Sequence, residues 1–164
     1  MSTPAVAFAE HDHRRCREAL LGELARAAAA RGLRLTPARR RVLELLSEAH
    51  RAMGAYELLD RLRVEGLGSQ PPVVYRALDF LIETGFAHKI ERLNAYVACS
   101  HPEGEPGGDH AACFLICAEC RKVAEIEDGA LDLAIAQTAA ERGFAMRRTV
   151  LEIEGMCPAC RGIA

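Results

Sequence analysis

The sequence predicts an α+β chain built as two units, and three observations carry that prediction. Four short stretches with helical apolar spacing fill the first half and run into a segment that reads as a β-hairpin. A Gly- and Pro-rich stretch, SHPEGEPGGDH, then breaks all periodicity, and beyond it two Cys-x-x-Cys pairs bracket a strand, helix, strand pattern. The chain has 164 residues, half of them apolar, which is enough to bury a core. No apolar run reaches the roughly 18 residues of a membrane span. The start, MSTPAVAFAEHDHRRC, lacks a basic segment followed by a long apolar one, so a cytoplasmic protein with no membrane partner is expected.

The elements follow in order. From Cys16 to Arg31, CREALLGELARAAAAR consists of strong helix formers, and Gly32 offers a stop. Thr36-Pro37 supplies an N-cap with proline in the first turn. After it, Val42, Leu45, Leu46 and Ala49 recur at i, i+3, i+4 and i+7, which leaves an Arg-rich outer face. A third helix fits 55–65, AYELLDRLRVE, with Leu58, Leu59 and Leu62 on one side, before the breaker-rich GLGSQPP. A fourth begins near Pro72. Its positions Val74, Leu78, Leu81 and Ile82 form one stripe, Val73, Tyr75, Arg76 and Asp79 face away, and Gly85 ends it. FAHKIERLNAYVAC then reads as two short strands around a Leu-Asn turn. Short helices closed by a hairpin are the ingredients of a winged helix-turn-helix, whose last helix enters the major groove of DNA, although other small α+β domains contain them too.

Past the linker, ACFLIC and KVAEIE read as strands, and DGALDLAIAQTAAERG reads as a helix capped by Asp128. FAMRRTVLEIEG reads as a strand alternating through Thr149, Leu151 and Ile153. We therefore place a winged-helix domain over residues 1–98, a linker over 99–111 and an α/β domain over 112–164.

The net charge of -2 hides an asymmetry: residues 1–98 carry 15 Lys and Arg against 12 Asp and Glu, and residues 99–164 carry 6 against 11. A basic half with Arg31, Arg34, Arg39, Arg40 and Arg41 close together suits a polyanion, and it is also what a solvated helical face looks like.

Seven cysteines cannot all pair, and no export signal is visible, so metal ligation is favoured over disulfides. Cys117-Ala-Glu-Cys120 and Cys157-Pro-Ala-Cys160 each aim two sulfurs at one point, and four thiolates meet the tetrahedral, soft preference of zinc. The set is closed, with no open position for a substrate, so it reads as structural. Redox dithiols are the competing reading, without a thioredoxin-like pattern to support them. Around the linker lie further donors: His88, Cys99, His101, His110, Cys113 and Glu125. Mixed nitrogen, sulfur and oxygen donors that include a thiolate favour zinc over iron(II) or manganese. A zinc hydrolase or deaminase is the alternative from another class. HAAC lacks the glutamate of a deaminase His-x-Glu, and the second pair reads Cys-Pro-Ala-Cys rather than Pro-Cys-x-x-Cys.

From about Leu33 to Cys160 the sequence resembles the ferric-uptake-regulator superfamily of bacterial metal-responsive repressors, most closely its zinc-uptake branch. The marks are LRLTPARRRVLELL, AYELLDRL, PPVVYRALDFLIETGFAHKIERLNAYVAC, HAACFLICAEC followed by Glu125, and GMCPAC. The resemblance implies an N-terminal winged-helix DNA-binding domain and a C-terminal dimerisation domain. It implies a homodimer that binds double-stranded operator DNA when zinc is present and silences zinc-uptake genes, with no small-molecule substrate. It also implies two Zn2+ per subunit: a structural ion on Cys117, Cys120, Cys157 and Cys160, and a regulatory ion on His88, Cys99, His110 and Glu125. His101 and Cys113 stand near as rival donors, and Val73 occupies a position where many relatives have threonine. Tyr75 and Arg76 are the leading DNA contacts, followed by Tyr56, Arg39 and Arg40. An iron- or peroxide-responsive member of the superfamily is the nearest alternative. Cys99 at the end of the hairpin argues for zinc.

Overall fold

A computed structural model describes residue 8 and residues 13–48, 50–100 and 112–162. Among these residues there are five α-helices and five strands. The order is α1 (His13–Ala30), α2 (Pro37–Leu46), α3 (Ala55–Val64), α4 (Pro71–Glu83), β1 (Ala87–Ile90), β2 (Ala95–Ala98), β3 (Ala112–Cys117), β4 (Val123–Ile126), α5 (Gly129–Ala140) and β5 (Val150–Gly155). None of these helices is long and apolar enough to cross a membrane.

The helical half forms because each helix carries one apolar stripe and a local stop. Thr36 caps α2 by accepting from the Arg39 amide at 3.3 Å. Val42, Leu43, Leu45 and Leu46 of α2 pack with Leu58, Leu59 and Leu62 of α3 and with Val74, Ala77, Leu78 and Leu81 of α4 in one core. Gly85, at φ 80°, takes the left-handed turn that a side chain resists, and Phe86 N then donates to Leu81 O at 2.7 Å. The chain thereby reverses into β1. The expected outward face of α4 holds for Tyr75, Arg76 and Asp79, which are exposed, but not for Val73. Val73 is half-buried against this core and lies beside Gly68, where an added Cβ would sit 2.7 Å from its Cγ1.

β1 and β2 form the expected hairpin, with His88 opposite Val97 and a 3-10 turn over Glu91–Leu93 closed by Asn94 at φ 44°. The ladder continues one step outward, because Cys99 N donates to Phe86 O at 3.0 Å. The second sheet has the order β4-β3-β5, antiparallel between β3 and β4 and parallel between β3 and β5. The strand expected from Phe144 begins only at Val150, because its first rung is Ala112 at the start of β3, and residues before it have no described strand to pair with. Asp128 caps α5 as expected, accepting from Ala130 N at 2.9 Å and Leu131 N at 3.2 Å.

Two main-chain seams tie the halves together. Residues 51–53 lie between them: Met53 exchanges amides with Tyr96 of β2 at 2.9 and 2.8 Å, and on the other side Ala52 N donates to Arg121 O at 3.2 Å and Val123 N to His50 O at 2.9 Å. Around this seam a second, smaller core forms from Ala52, Ile90, Ala95, Val97, Phe114, Ile116 and Val123.

Candidate metal centre and nucleic-acid interface

Strand parity decides which side chains meet. On the hairpin, His88 shares a face with Val97, and Cys99, one ladder step beyond, opposes Phe86 on the same face. On the second sheet Glu125 pairs with Phe114 across β3 and β4. These two faces meet in the smaller core, so a nitrogen, a sulfur and a carboxylate from opposite halves converge at its edge. The ligand atoms of His88, Cys99 and Glu125 lie within 4.8 Å of one another. His88 Nε2 is 3.0 Å from Glu125 Oε1, and Cys99 Sγ is 4.0 Å from the same oxygen. The amide of Ser100 donates to Glu125 Oε2 at 2.8 Å, which fixes the carboxylate. The His88 ring meets Phe114 edge-on at 5.2 Å between centroids. The surroundings are dry: Cys99 and Phe114 are nearly inaccessible.

His110 and His101 lie outside the described residues. Cys113, the rival donor, is paired with Ile126 and points to the opposite face of the sheet from Glu125. Burial pushes its thiol up, with Asp132 and Asp128 of the α5 region adding to the effect. It does not join the His88 cluster.

The second set sits at the other end of β3. Cys117 closes that strand and Cys120 lies in the turn after it, which Arg121 N closes by donating to Cys117 O at 3.0 Å. Cys157 and Cys160 occupy the turn after β5, brought alongside because β5 runs parallel to β3 as far as Cys117 opposite Gly155. All four sulfurs lie within 4.8 Å of one another, and Cys120 Sγ is 3.8 Å from Cys157 Sγ. A tetrahedral zinc with sulfurs at about 2.3 Å places those sulfurs about 3.8 Å apart, so the donor set fits that ion. The electrostatics agree. Burial pushes the Cys117 thiol up, but the amides of Cys157, Cys120 and Glu119 outweigh it and bring the thiol down to about 6. Cys160, hydrogen-bonded to the thiols of Cys157 and Cys120, is pushed up to about 12. One thiolate forms readily, and the last is held back by its neighbours until a cation neutralises them.

The His88 cluster fits a borderline-soft divalent ion for a related reason. Its imidazole, thiol and carboxylate are the donor types zinc takes, and three of them face one point. No other group of three His, Cys, Asp or Glu donors gathers in this way among the described residues.

The expected DNA contacts are spread over α2, α3 and α4. Tyr56 is 68% exposed on α3 and Tyr75 40% on α4, with Arg76 exposed beside it. Arg40 is exposed and pairs with Glu44 at 3.3 Å. Arg39 is tied inward: its guanidinium stacks 3.9 Å over the Phe80 ring and donates to the carbonyl of Arg34. Sequence reasoning missed Lys89, which shares a face with Tyr96 toward α4. It also missed Glu152, whose two oxygens accept the amides of Glu91 and Arg92. Glu152 escapes because its partners come from the hairpin tip about 60 residues away rather than from local pattern.

The model of the Ferric uptake regulator family matches residues 30–154. The zinc uptake regulation protein of Escherichia coli (strain K12) is 44% identical over 142 residues, which are 86% of this chain and 81% of that protein. A solved structure described as a zinc uptake regulator complexed with zinc and DNA is 40% identical, covers 90% of this chain and 96% of its own, and superposes with a TM-score of 0.80. Holo XcZur, 42% identical and covering 88% of this chain and 98% of its own, superposes with a TM-score of 0.74. With most of its length matched in both sequence and structure, the chain belongs to the ferric uptake regulator family.

Proposed function

We propose that the protein is a zinc-responsive transcriptional repressor that acts in the cytoplasm as a homodimer, binds operator DNA when zinc-loaded and silences zinc-uptake genes. The observation that carries this reading is the meeting of His88 and Cys99, carried by the hairpin, with Glu125, carried by β4, within 4.8 Å. A ligand set split between the DNA-reading half and the sheet makes their relative orientation depend on occupancy. His110, close before β3 in the sequence, is the fourth ligand in this reading, with the 99–111 segment as the linker between two domains. Zinc, when bound, supplies the divalent charge that lets thiolate, carboxylate and imidazole share one dry site.

His88 and Cys99 then hold the hairpin against Phe114, and Glu125, fixed by the Ser100 amide, holds the sheet side. Cys117, Cys120, Cys157 and Cys160 hold the second ion and staple the turns after β3 and β5. That set offers no open coordination position, which supports a regulator rather than a catalyst.

The second copy has a surface to meet. α5 is almost wholly apolar yet buries none of its residues, and Leu133, Phe144, Met146, Val150 and Ile153 are exposed around it and along β5. An apolar face of this kind supports self-association. A two-fold dimer would present two α4 helices, each with Tyr75 and Arg76 outward, to successive major grooves, with Tyr56 and Arg40 toward the flanking backbone. Arg39 in this reading stiffens α2 against α4 more than it reaches for phosphate.

The test is operator affinity with zinc and with a chelator, in the wild type and in His88→Ala and Cys99→Ala. Zinc should tighten binding in the wild type and lose that effect in both variants. Equal affinity in every condition would sink the proposal.

A further inference from the structure

One row of the second sheet touches both ends of the hairpin. Across the sheet, Glu125 of β4 neighbours Phe114 of β3, which neighbours Glu152 of β5, so all three side chains leave the same face. The next row on that face carries Val123 and Ile116, both in the smaller core, and then Glu154, and the hairpin lies across it. At one end of the row Glu125 meets His88. At the other, Glu152 Oε1 accepts the Glu91 amide at 2.7 Å and Oε2 accepts the Arg92 amide at 3.0 Å. One rung along β5, Glu154 Oε2 takes Arg92 Nε at 2.7 Å.

We propose that Glu152, supported by the Arg92–Glu154 pair, is a positioning residue for the regulatory metal site: it clasps the hairpin tip to β5 without any metal and so sets the approach of His88 to Glu125. The inference rests on the zinc-responsive reading above. β1 has only four residues, and His88 stands three positions before Glu91 on it. A strand that short, pinned at its tip, carries His88 to one place over the sheet. With the tip loose, the three donors have to be gathered when the ion binds, and the ordering is charged against affinity.

The two contacts differ in strength. A carboxylate that takes two amides, one on each oxygen, makes charge-assisted hydrogen bonds. The Arg92–Glu154 pair has side chains 55% and 41% exposed, and a pair so open to water contributes little by itself. Glu152, half-buried and accepting on both oxygens, therefore carries more of the clasp, although its two contacts also lie close to solvent. In the proposed dimer β5 lies near the second copy, so the clasp joins that strand to the hairpin that follows the DNA-reading helix α4. An ordinary turn cap would affect stability alone and leave metal affinity where it was.

The experiment uses the full chain with the four-cysteine site filled. It reads amide hydrogen exchange at Glu91 and Arg92, and binding of a second zinc in competition with a chromophoric chelator. In Glu152→Gln, which keeps the size but replaces one accepting oxygen with a donor, the two amides should exchange faster and the second zinc should bind on the order of tenfold more weakly. Zinc content of the first site should stay as in the wild type, and the thermal midpoint should fall by only a few degrees, about what the loss of a surface hydrogen bond costs. Arg92→Glu should weaken the second zinc by a smaller factor, and adding Glu154→Arg should restore it. Unchanged second-zinc affinity despite faster exchange would overturn the proposal, as would unchanged exchange in Glu152→Gln. If the wild type binds DNA equally with and without zinc, the repressor reading fails, and the exchange and zinc measurements still decide the clasp.

Discussion

His88 and Lys89 are neighbours on β1, and their side chains leave opposite faces of the hairpin: His88 toward Glu125 and Phe114, Lys89 toward Tyr96 and the α4 side. In the proposed reading, one strand thus carries a metal donor on one side and a cation on the side that meets DNA. Lys89 is held by Glu91 at 2.7 Å, which raises its pKa, with Tyr96 and Tyr75 adding to the effect. We expect Lys89→Gln to weaken operator binding and to reduce the slope of log affinity against log salt by about 1, as loss of one phosphate contact does. Second-zinc affinity should be untouched in that variant. His88→Ala should behave oppositely, with the zinc response lost and the salt slope kept.

Cys113 and Cys99 give a sharp contrast between two buried thiols. Because Cys113 faces away from the cluster, Cys113→Ala should cost on the order of 1 kcal/mol in stability through lost packing while leaving second-zinc affinity within about twofold. Cys99→Ala should abolish that binding. Chelator competition on the two variants separates them.

Phe114 is both core and backing plate, 1% exposed and edge-on to His88. Phe114→Leu should lower unfolding free energy by on the order of 1 kcal/mol in urea titrations. It should also weaken the second zinc, since the His88 ring loses the surface that orients it.

Removing one sulfur from the four-cysteine set should cost far more than either change. Cys157→Ala, or exhaustive chelation of the wild type, should unfold the second sheet or leave a monomer, because a structural zinc contributes directly to folding and its loss leaves the remaining thiolates close together and uncompensated. Circular dichroism and sedimentation would register it, and a well-folded dimer would contradict the structural assignment.

Arg41 makes a fork with Glu65, Nε to Oε2 at 2.7 Å and Nη2 to Oε1 at 2.8 Å, which ties α2 to the end of α3. The hydrogen bond from Arg41 holds the Glu65 carboxyl below the usual carboxylate range. Such a group contributes stability in full above its ordinary pKa and loses the contribution as pH falls through the lower, folded value. Acid titration of the thermal midpoint should therefore be flatter below about pH 4 in Glu65→Gln than in the wild type.

Much of the fold was legible because its signals are local. The stripe Val74, Leu78 and Leu81, the cap at Thr36 and the break at Gly85 each depend on residues within a turn or two, and the helices stand where they predict. The cysteine pairs were legible because two residues of spacing already constrain the chemistry. Parity over distance was not. In β5 the sequence shows only an alternation through Leu151 and Ile153, and it is strand pairing that puts Glu152 and Glu154 on the face of Phe114 and Ile116, with partners supplied by the hairpin about 60 residues away. Cys113 remained a rival donor for the same reason: only its pairing with Ile126 shows which way it points. Val73 misled because a turn glycine, Gly68, opens space for it beside α4.

The strip at residues 51–53 carries one further implication. Its hydrogen bonds to Tyr96 and Arg121, and that of neighbouring His50 to Val123, run between peptide groups, while Ala52 and Met53 are buried in the two cores on either side, so substitutions that keep their size leave the attachment in place. If α4 reads DNA and the hairpin donors sense metal, as proposed, the two are thereby free to drift separately over evolutionary time, each riding on a frame that neither has to maintain. A lineage could acquire a new operator without relearning how to feel its metal.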